Sequence, residues 1–290
     1  MRKIKFIINP VAGDGSSKKM IKIIHDKMAT RKIPYSISIS GYKGEIEELA
    51  REAASQDYTD VVAVGGDGTV MEAFNGIYDK NIALGIIPSG TGNDFAKMFN
   101  LSHDFEEDLN RILIGNIEWI DVGKVNDTHF LNIAGLGIDS SILEKTEKLK
   151  KKIKGPMAYL ISTFLVLAKY KCEEITINID GCEIKKNAYL VAIGNGNFYG
   201  GGMKITPEAS LSDGLLDIVI IHKIPKIKFA RLFKKVYSGD HIFEDVVENY
   251  KGKKISITAS PDVKINVDGN LIGQGSCEIT IEENKQKIIK

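Results

Sequence analysis

The chain has 290 residues, 43% of them apolar and 27% charged, as expected of a soluble globular protein with one large or two ordinary domains. A formal net charge of +1 excludes a polyelectrolyte that holds nucleic acid through bulk charge. Cys172, Cys182 and Cys277 stand at no metal-ligand spacing and are expected to be reduced thiols in a cytoplasmic protein. The longest nearly apolar run, Tyr159 to Ala168, is about half of the ~20 residues needed to span a bilayer. The apolar run near the start is interrupted by Lys5 and stops at Asn9, which argues against a signal peptide.

The first half alternates strand and helix signals. Ile4–Ile8 reads as a strand and Ser16–Met28 as a helix, with Met20, Ile23, Ile24 and Met28 on one face. Tyr35–Ser40 reads as a strand, Glu45–Ser55 as a helix and Val61–Val64 as a buried strand. Thr69–Tyr78 reads as a helix, Ala83–Ile87 as a strand, and Asp94–Phe99 and Phe105–Leu113 as short helices. This alternation predicts a parallel sheet covered on both faces, with ligands at the strand ends.

After about Phe130 the pattern becomes antiparallel. Glu174–Ile179 and Glu183–Lys186 flank Asp180-Gly181, a strong hairpin signal. Ala188–Ile193, Leu215–Ile221, Lys254–Thr258, Val263–Val267 and Glu278–Ile281 add strands, which together suggest a β-sandwich. Helical segments at Ser140–Leu149, Met157–Ala168 and Pro225–Tyr237 interrupt them.

Three glycine-bearing turns follow predicted strands: Asn9 to Ser16, Gly65 to Thr69, and Pro88 to Asp94. Glycine lets backbone crowd a phosphate, and the helix that follows aims N–H groups at it. Asp67 is the oddity, because a carboxylate repels phosphate unless a divalent cation lies between them. One such turn is ordinary in an α/β fold, whereas three together favour a nucleotide–metal site. Neither the Walker pattern nor a GxGxxG fingerprint is present, so a P-loop and a standard dinucleotide fold are excluded.

The chain resembles the diacylglycerol kinase catalytic family, in particular its bacterial soluble lipid kinases, which are similar to sphingosine and ceramide kinases. The resemblance rests on Asn9-Pro10 with Gly13, on Gly65-Gly66-Asp67-Gly68-Thr69 followed by Glu72, and on Pro88-Ser89-Gly90-Thr91-Gly92-Asn93-Asp94. Ile120-Asp121-Val122-Gly123 and Ser212-Asp213-Gly214-Leu215-Leu216-Asp217 extend it. It implies an NAD kinase/phosphofructokinase-like α/β domain over residues 1–128. An antiparallel β-sandwich, lipid-binding domain would occupy residues 129–290, its last strand returning to the first domain. The implied reaction is transfer of the ATP γ-phosphate to a lipid hydroxyl, with diacylglycerol to phosphatidic acid as the first expectation.

By this resemblance ATP would contact Asn9, Pro10, Val11, Ala12, Gly13, Ser40, Gly65, Gly66, Asp67, Gly68, Thr69, Val70, Met71, Glu72 and Thr91. Asp67 would organise nucleotide and Mg2+, and Asp94 and Asp121 would be structural supports. A structural Mg2+ would take the Asp213 carboxylate and the backbone carbonyls of Ser210 and Leu215. The ordinary alternative for that loop is an Asp-Gly turn before a strand.

One position departs from the family pattern. A glutamate is proposed as the family's general base, and the matching segment here is Val267-Asp268-Gly269-Asn270. An amide has no useful basicity near neutral pH, so Asn270 cannot take that role. Asp268 or another carboxylate could substitute, or the proton could leave late in a loose transition state. The alternatives are a catalytically impaired nucleotide-binding regulator and a kinase for a different lipid acceptor. Lys148 to Lys154, beside the apolar Met157–Ala168 segment, could dock on anionic lipid at the inner membrane surface, and a solvated helix end is the plainer explanation. No nucleic-acid partner is expected, and a homodimer is plausible by family likeness alone.

Overall fold

The computed structural model describes residues 1–15, 17–101, 104–150, 153 and 156–290. Much of the Lys148–Lys154 stretch therefore lies outside the described residues, as do the side chains of residues 14–18. Two compact units divide the chain: Met1–Ile120 with Asn284–Lys290, and Asp121–Glu283.

The first unit is built from β1 (Ile4–Ile8), α1 (Ser17–Met28), β2 (Tyr35–Ile39), α2 (Glu45–Ser55) and β3 (Asp60–Gly65). It continues with α3 (Asp67–Ile77), β4 (Ala83–Pro88), α4 (Asp94–Lys97) and α5 (Phe105–Ile114). The strands are parallel in the order β4-β3-β1-β2, and Lys287 and Ile288 add a parallel segment beyond β4. Ile8 lies opposite Val64 and Ile39, and Gly65 opposite Pro88, so the carboxyl ends share one edge. Every residue of β3 and β4 is buried, which explains continuous apolar runs in place of alternation. Ile4, Phe6, Ile8, Val62 and Val64 pack with Ile24 and Met28 of α1 and Leu109 and Ile112 of α5. Helices α2 and α3 cross so closely that a Cβ on Gly76 would lie 2.5 Å from the Glu47 carbonyl oxygen. Arg111 donates to the carbonyls of Ile86 and Ile289, which ties the final segment to β4.

In the first unit the predicted helices and strands agree with the structure to within a residue except at α3 and at α4, which ends at Lys97, two residues before Phe99. Helix α3 begins at Asp67, two residues before Thr69, because Gly66 is the extended N-cap and Asp67 and Gly68 are already helical.

The chain leaves the first unit along β5 (Ile117–Val125). The second unit then adds β6 (Thr128–Phe130), β7 (Ile133–Gly137), α6 (Ile138–Lys150), α7 (Pro156–Lys169), β8 (Glu173–Ile179) and β9 (Cys182–Gly194). The short strands β10 (Phe198–Tyr199) and β11 (Met203–Lys204) pair with each other. Next come β12 (Leu216–His222), α8 (Lys226–Ser238), β13 (Val247–Gly252), β14 (Lys254–Thr258), β15 (Lys264–Val267), β16 (Asn270–Gln274) and β17 (Cys277–Ile289). Pairings among β7–β9 and β12–β16 are antiparallel.

Alternation explains the packing here. Leu216, Ile218 and Ile220 of β12 join Val191 and Ile193 of β9 in one core. Val219 and Ile221 of the same strand face the opposite way, toward Phe229, Leu232 and Val236 of α8. Asp180 and Gly181 both have positive φ, as the predicted hairpin requires. Three details differ from the sequence reading. Glu183–Lys186 and Ala188–Ile193 form one continuous strand, because the polar start of β9 pairs with β8 and its apolar end lies between β7 and β12. The predicted Glu278–Ile281 strand runs on to Ile289. Strands β5, β6, β7, β10, β11, β13 and β16 have no counterpart in the predicted set.

Candidate nucleotide site

The strand edge of the first unit collects most of the predicted nucleotide residues. Asn9 follows β1, and its side-chain Nδ2 donates to Thr69 Oγ1 at 3.0 Å. Its Oδ1 accepts from Val11 N at 3.2 Å, folding the Asn9–Gly13 turn back on itself. Val11 is exposed, and Gly13 sits at φ +58°. Ser40 is buried after β2, with its N–H bonded to the Ile8 carbonyl at 3.0 Å and its hydroxyl 3.5 Å from the same oxygen. Glu72 of α3 accepts from Gly44 N at 3.1 Å, which links the β2 loop to the helix.

The turns after β3 and β4 meet through their backbones. A Cβ on Gly90 would lie 2.5 Å from Gly66 Cα, and one on Gly66 would lie 3.2 Å from Gly90 Cα. Asn93, at φ +51°, closes the second turn by accepting from Gly90 N at 3.0 Å and donating to the Gly90 carbonyl at 2.8 Å. The N-cap of α3 is Gly66, which has no side chain to offer the first N–H groups of the helix.

Asp67 Oδ1 accepts from Phe95 N at 3.0 Å at the start of α4. Burial pushes the Asp67 carboxyl above its ordinary value, and neighbouring Asp94 adds to the rise. The N–H groups of Phe95 and Asp94, together with the Lys97 ammonium, oppose it. Lys97 bonds Asp94 Oδ1 at 2.8 Å and the Gly92 carbonyl at 2.7 Å, so it holds the second turn and partly balances two carboxylates. Thr91 is exposed on that turn, and Gly65 packs against Thr69, where a Cβ would meet Oγ1 at 2.3 Å.

These residues fit a nucleotide with a divalent cation. A Cβ on Gly68 would meet nothing within 4 Å beyond its chain neighbours and its own helix backbone, so protein packing does not demand glycine there, and the open space leaves room for a phosphate. The Ser89 hydroxyl is buried with no hydrogen-bond partner and can donate to an anion. A cation beside Asp67 and Asp94 would relieve their repulsion. Sequence reasoning assigned no role to Ser89, Asn93 or Lys97. For Ser89 and Asn93, a position inside a glycine turn was the available signal; Lys97 lies one helical turn beyond it, in α4.

The remaining predicted residues belong to the second unit and form two constellations. Asp121 Oδ2 accepts from Gly214 N at 2.8 Å, and Asp121 N donates to the Leu211 carbonyl at 2.7 Å, so Asp121 braces the loop before β12. Asp213 Oδ1 accepts from Leu215 N at 3.2 Å in that loop, which also contains Ser210. Among the described residues, no group of three or more His, Cys, Asp or Glu side chains forms a metal cluster.

Asp268 and Asn270 lie at the β15–β16 hairpin, whose Asp268-Gly269 pair has positive φ at both residues. Both Asp268 carboxylate oxygens are occupied. They accept from Leu131 N at 2.8 Å, Asn132 N at 3.1 Å and Ile133 N at 2.8 Å. Asn270 is exposed, its Nδ2 3.5 Å from the Asp268 carbonyl. Asn195 links the two constellations by donating to the carbonyls of Asp121 and Leu131.

Residues 3–125 match the diacylglycerol kinase catalytic domain, and residues 132–289 match the YegS C-terminal NAD kinase beta sandwich-like domain. A protein from Staphylococcus saprophyticus named diacylglycerol kinase is 30% identical over 275 residues, spanning 94% of this chain and 90% of that protein. A protein of the same name from Staphylococcus aureus strain bovine RF122 is also 30% identical, over 94% of this chain and 87% of its own length. A crystal structure from Bacillus anthracis, provisionally described as a diacylglycerol kinase, superposes with a TM-score of 0.84 at 28% identity, covering 99% of this chain and 97% of that one.

Proposed function

We propose that diacylglycerol is the acceptor of this chain, which belongs to the diacylglycerol kinase family and is an ATP-dependent lipid kinase, a phosphotransferase with an alcohol acceptor. The product would be phosphatidic acid. The acceptor oxygen would bond to the γ-phosphorus as the bond from that phosphorus to the β–γ bridging oxygen breaks, and the hydroxyl proton would be released.

The observation that carries the nucleotide half is the backbone contact of Gly66 with Gly90, which sets Asp67 and Asp94 side by side. Uncapped N–H groups of α3 and the Ser89 hydroxyl would bind phosphate oxygens. Asn9, by orienting Thr69, and Lys97, by holding the Gly92 carbonyl, would keep the two turns in register. Asp67, supported by Asp94, would hold Mg2+, which when bound neutralises charge on the phosphates. Positioning and charge balance do most of the work in phosphoryl transfer, so a covalent intermediate is not needed. The 129–290 region would hold the lipid at a membrane surface.

A second reading is a nucleotide-binding regulator, favoured by the exposed Asn270 amide and by an Asp268 whose oxygens are already hydrogen-bonded. Transfer from labelled ATP with magnesium to a panel of lipids in mixed micelles separates the two. Labelled phosphatidic acid is expected. ATP binding with no labelled lipid from any acceptor would support the regulator.

A further inference from the structure

We infer that Lys251 is the resident cation of the 208–217 loop, so that this chain orders the loop without a divalent metal ion. Lys251 lies on β13 directly opposite Asp217 of β12, so strand register places it there. Its ammonium has three donors and finds three oxygens: Asp217 Oδ2 at 2.9 Å, the Glu208 carbonyl at 3.2 Å and Asp213 Oδ2 at 3.5 Å.

Further contacts from within the protein brace the loop. Asp213 Oδ1 takes the Leu215 N–H, and Asp121 takes the Gly214 N–H while donating its own to Leu211. Asp213 is the only side-chain ligand that the resemblance offers for a structural Mg2+, and one of its oxygens already faces the ammonium. A divalent ion on that carboxylate would sit beside a fixed positive charge and be repelled by it. The residues of this loop therefore do not fit the implied metal. The opposing member of the strand pair performs the metal's task by joining the loop's first residues to its last.

Thermal unfolding of the nucleotide-free full chain, in EDTA and across a magnesium titration, tests this inference. It is run in an Asp67→Asn background so that the nucleotide site does not contribute, which also makes it independent of the kinase reading. No saturable magnesium shift is expected. Lys251→Met should lower the midpoint in EDTA by ~2–4 °C, and Lys251→Arg should retain it. A saturable magnesium-dependent rise that disappears on adding Asp213→Asn would overturn the inference, and so would a Lys251→Met midpoint equal to that of the parent.

Discussion

Gly66 and Gly90 touch backbone to backbone, and a single added methyl on Gly90 would lie 2.5 Å from Gly66 Cα and 2.8 Å from Asn93 Oδ1. That contact locks the turn after β3 to the turn after β4. Gly90→Ala must move one of them, at a cost of about 1–3 kcal/mol. The displaced turn carries Ser89 and Asp94, so ATP affinity should fall with stability. Nucleotide binding by calorimetry, beside an unfolding curve, checks both. Unchanged affinity would show that the contact is not required for binding.

Asp268→Ala should destabilise the second unit. Removing the carboxylate leaves the N–H groups of Leu131, Asn132 and Ile133 without that acceptor, and each buried, unsatisfied group costs about 1–3 kcal/mol. A loss of turnover with the folding midpoint intact would instead assign Asp268 to the chemistry.

Asn270→Glu puts a carboxylate at the position where the resemblance implies a general base. Turnover should rise, because a positioned base is typically worth ~10²–10⁴-fold. If turnover stayed the same while Asp67→Ala abolished it, proton removal at this position would not limit the reaction.

Asp139, buried in the second unit, gives a pH signature. Burial raises its carboxyl from 3.8 to about 6, against hydrogen bonds from Asn266 and Ser140. A carboxyl with a raised folded value binds its proton more tightly in the native state. Its favourable contribution is complete below 3.8 and is lost as pH rises through about 6. The gap corresponds to a loss on the order of 3 kcal/mol. Denaturant unfolding of wild type and Asp139→Asn from pH 4 to neutrality should show the variant gaining relative stability as pH rises. A difference constant with pH would refute it.

Much of the first unit was legible because its signals are local. Val61–Val64 and Ala83–Ile87 are apolar runs ended by glycine turns, and burial on both faces makes such runs necessary. The early start of α3 was hidden because Asp67 and Gly68 are poor helix formers. Strand β7, Ile133-Ala134-Gly135-Leu136-Gly137, was obscured by two glycines, and a Cβ on Gly135 would lie 2.1 Å from an Asp139 oxygen. Motif reading reached Asp67 and Asp94 through their glycines. It could not reach Asp268 with residues 131–133, or Lys251 with Asp217, because register and tertiary closure create those contacts across long separations.

The most direct measurement compares labelled phosphatidic acid formed from ATP and diacylglycerol by wild type and Asp67→Asn, with magnesium, in mixed micelles. Wild type should form product, and the variant should lose ~10²–10³-fold in turnover as charge handling at the phosphates fails, with its fold intact. Equal rates in the two proteins would contradict the assignment of the Gly66–Gly90 turns as the phosphate-transfer site.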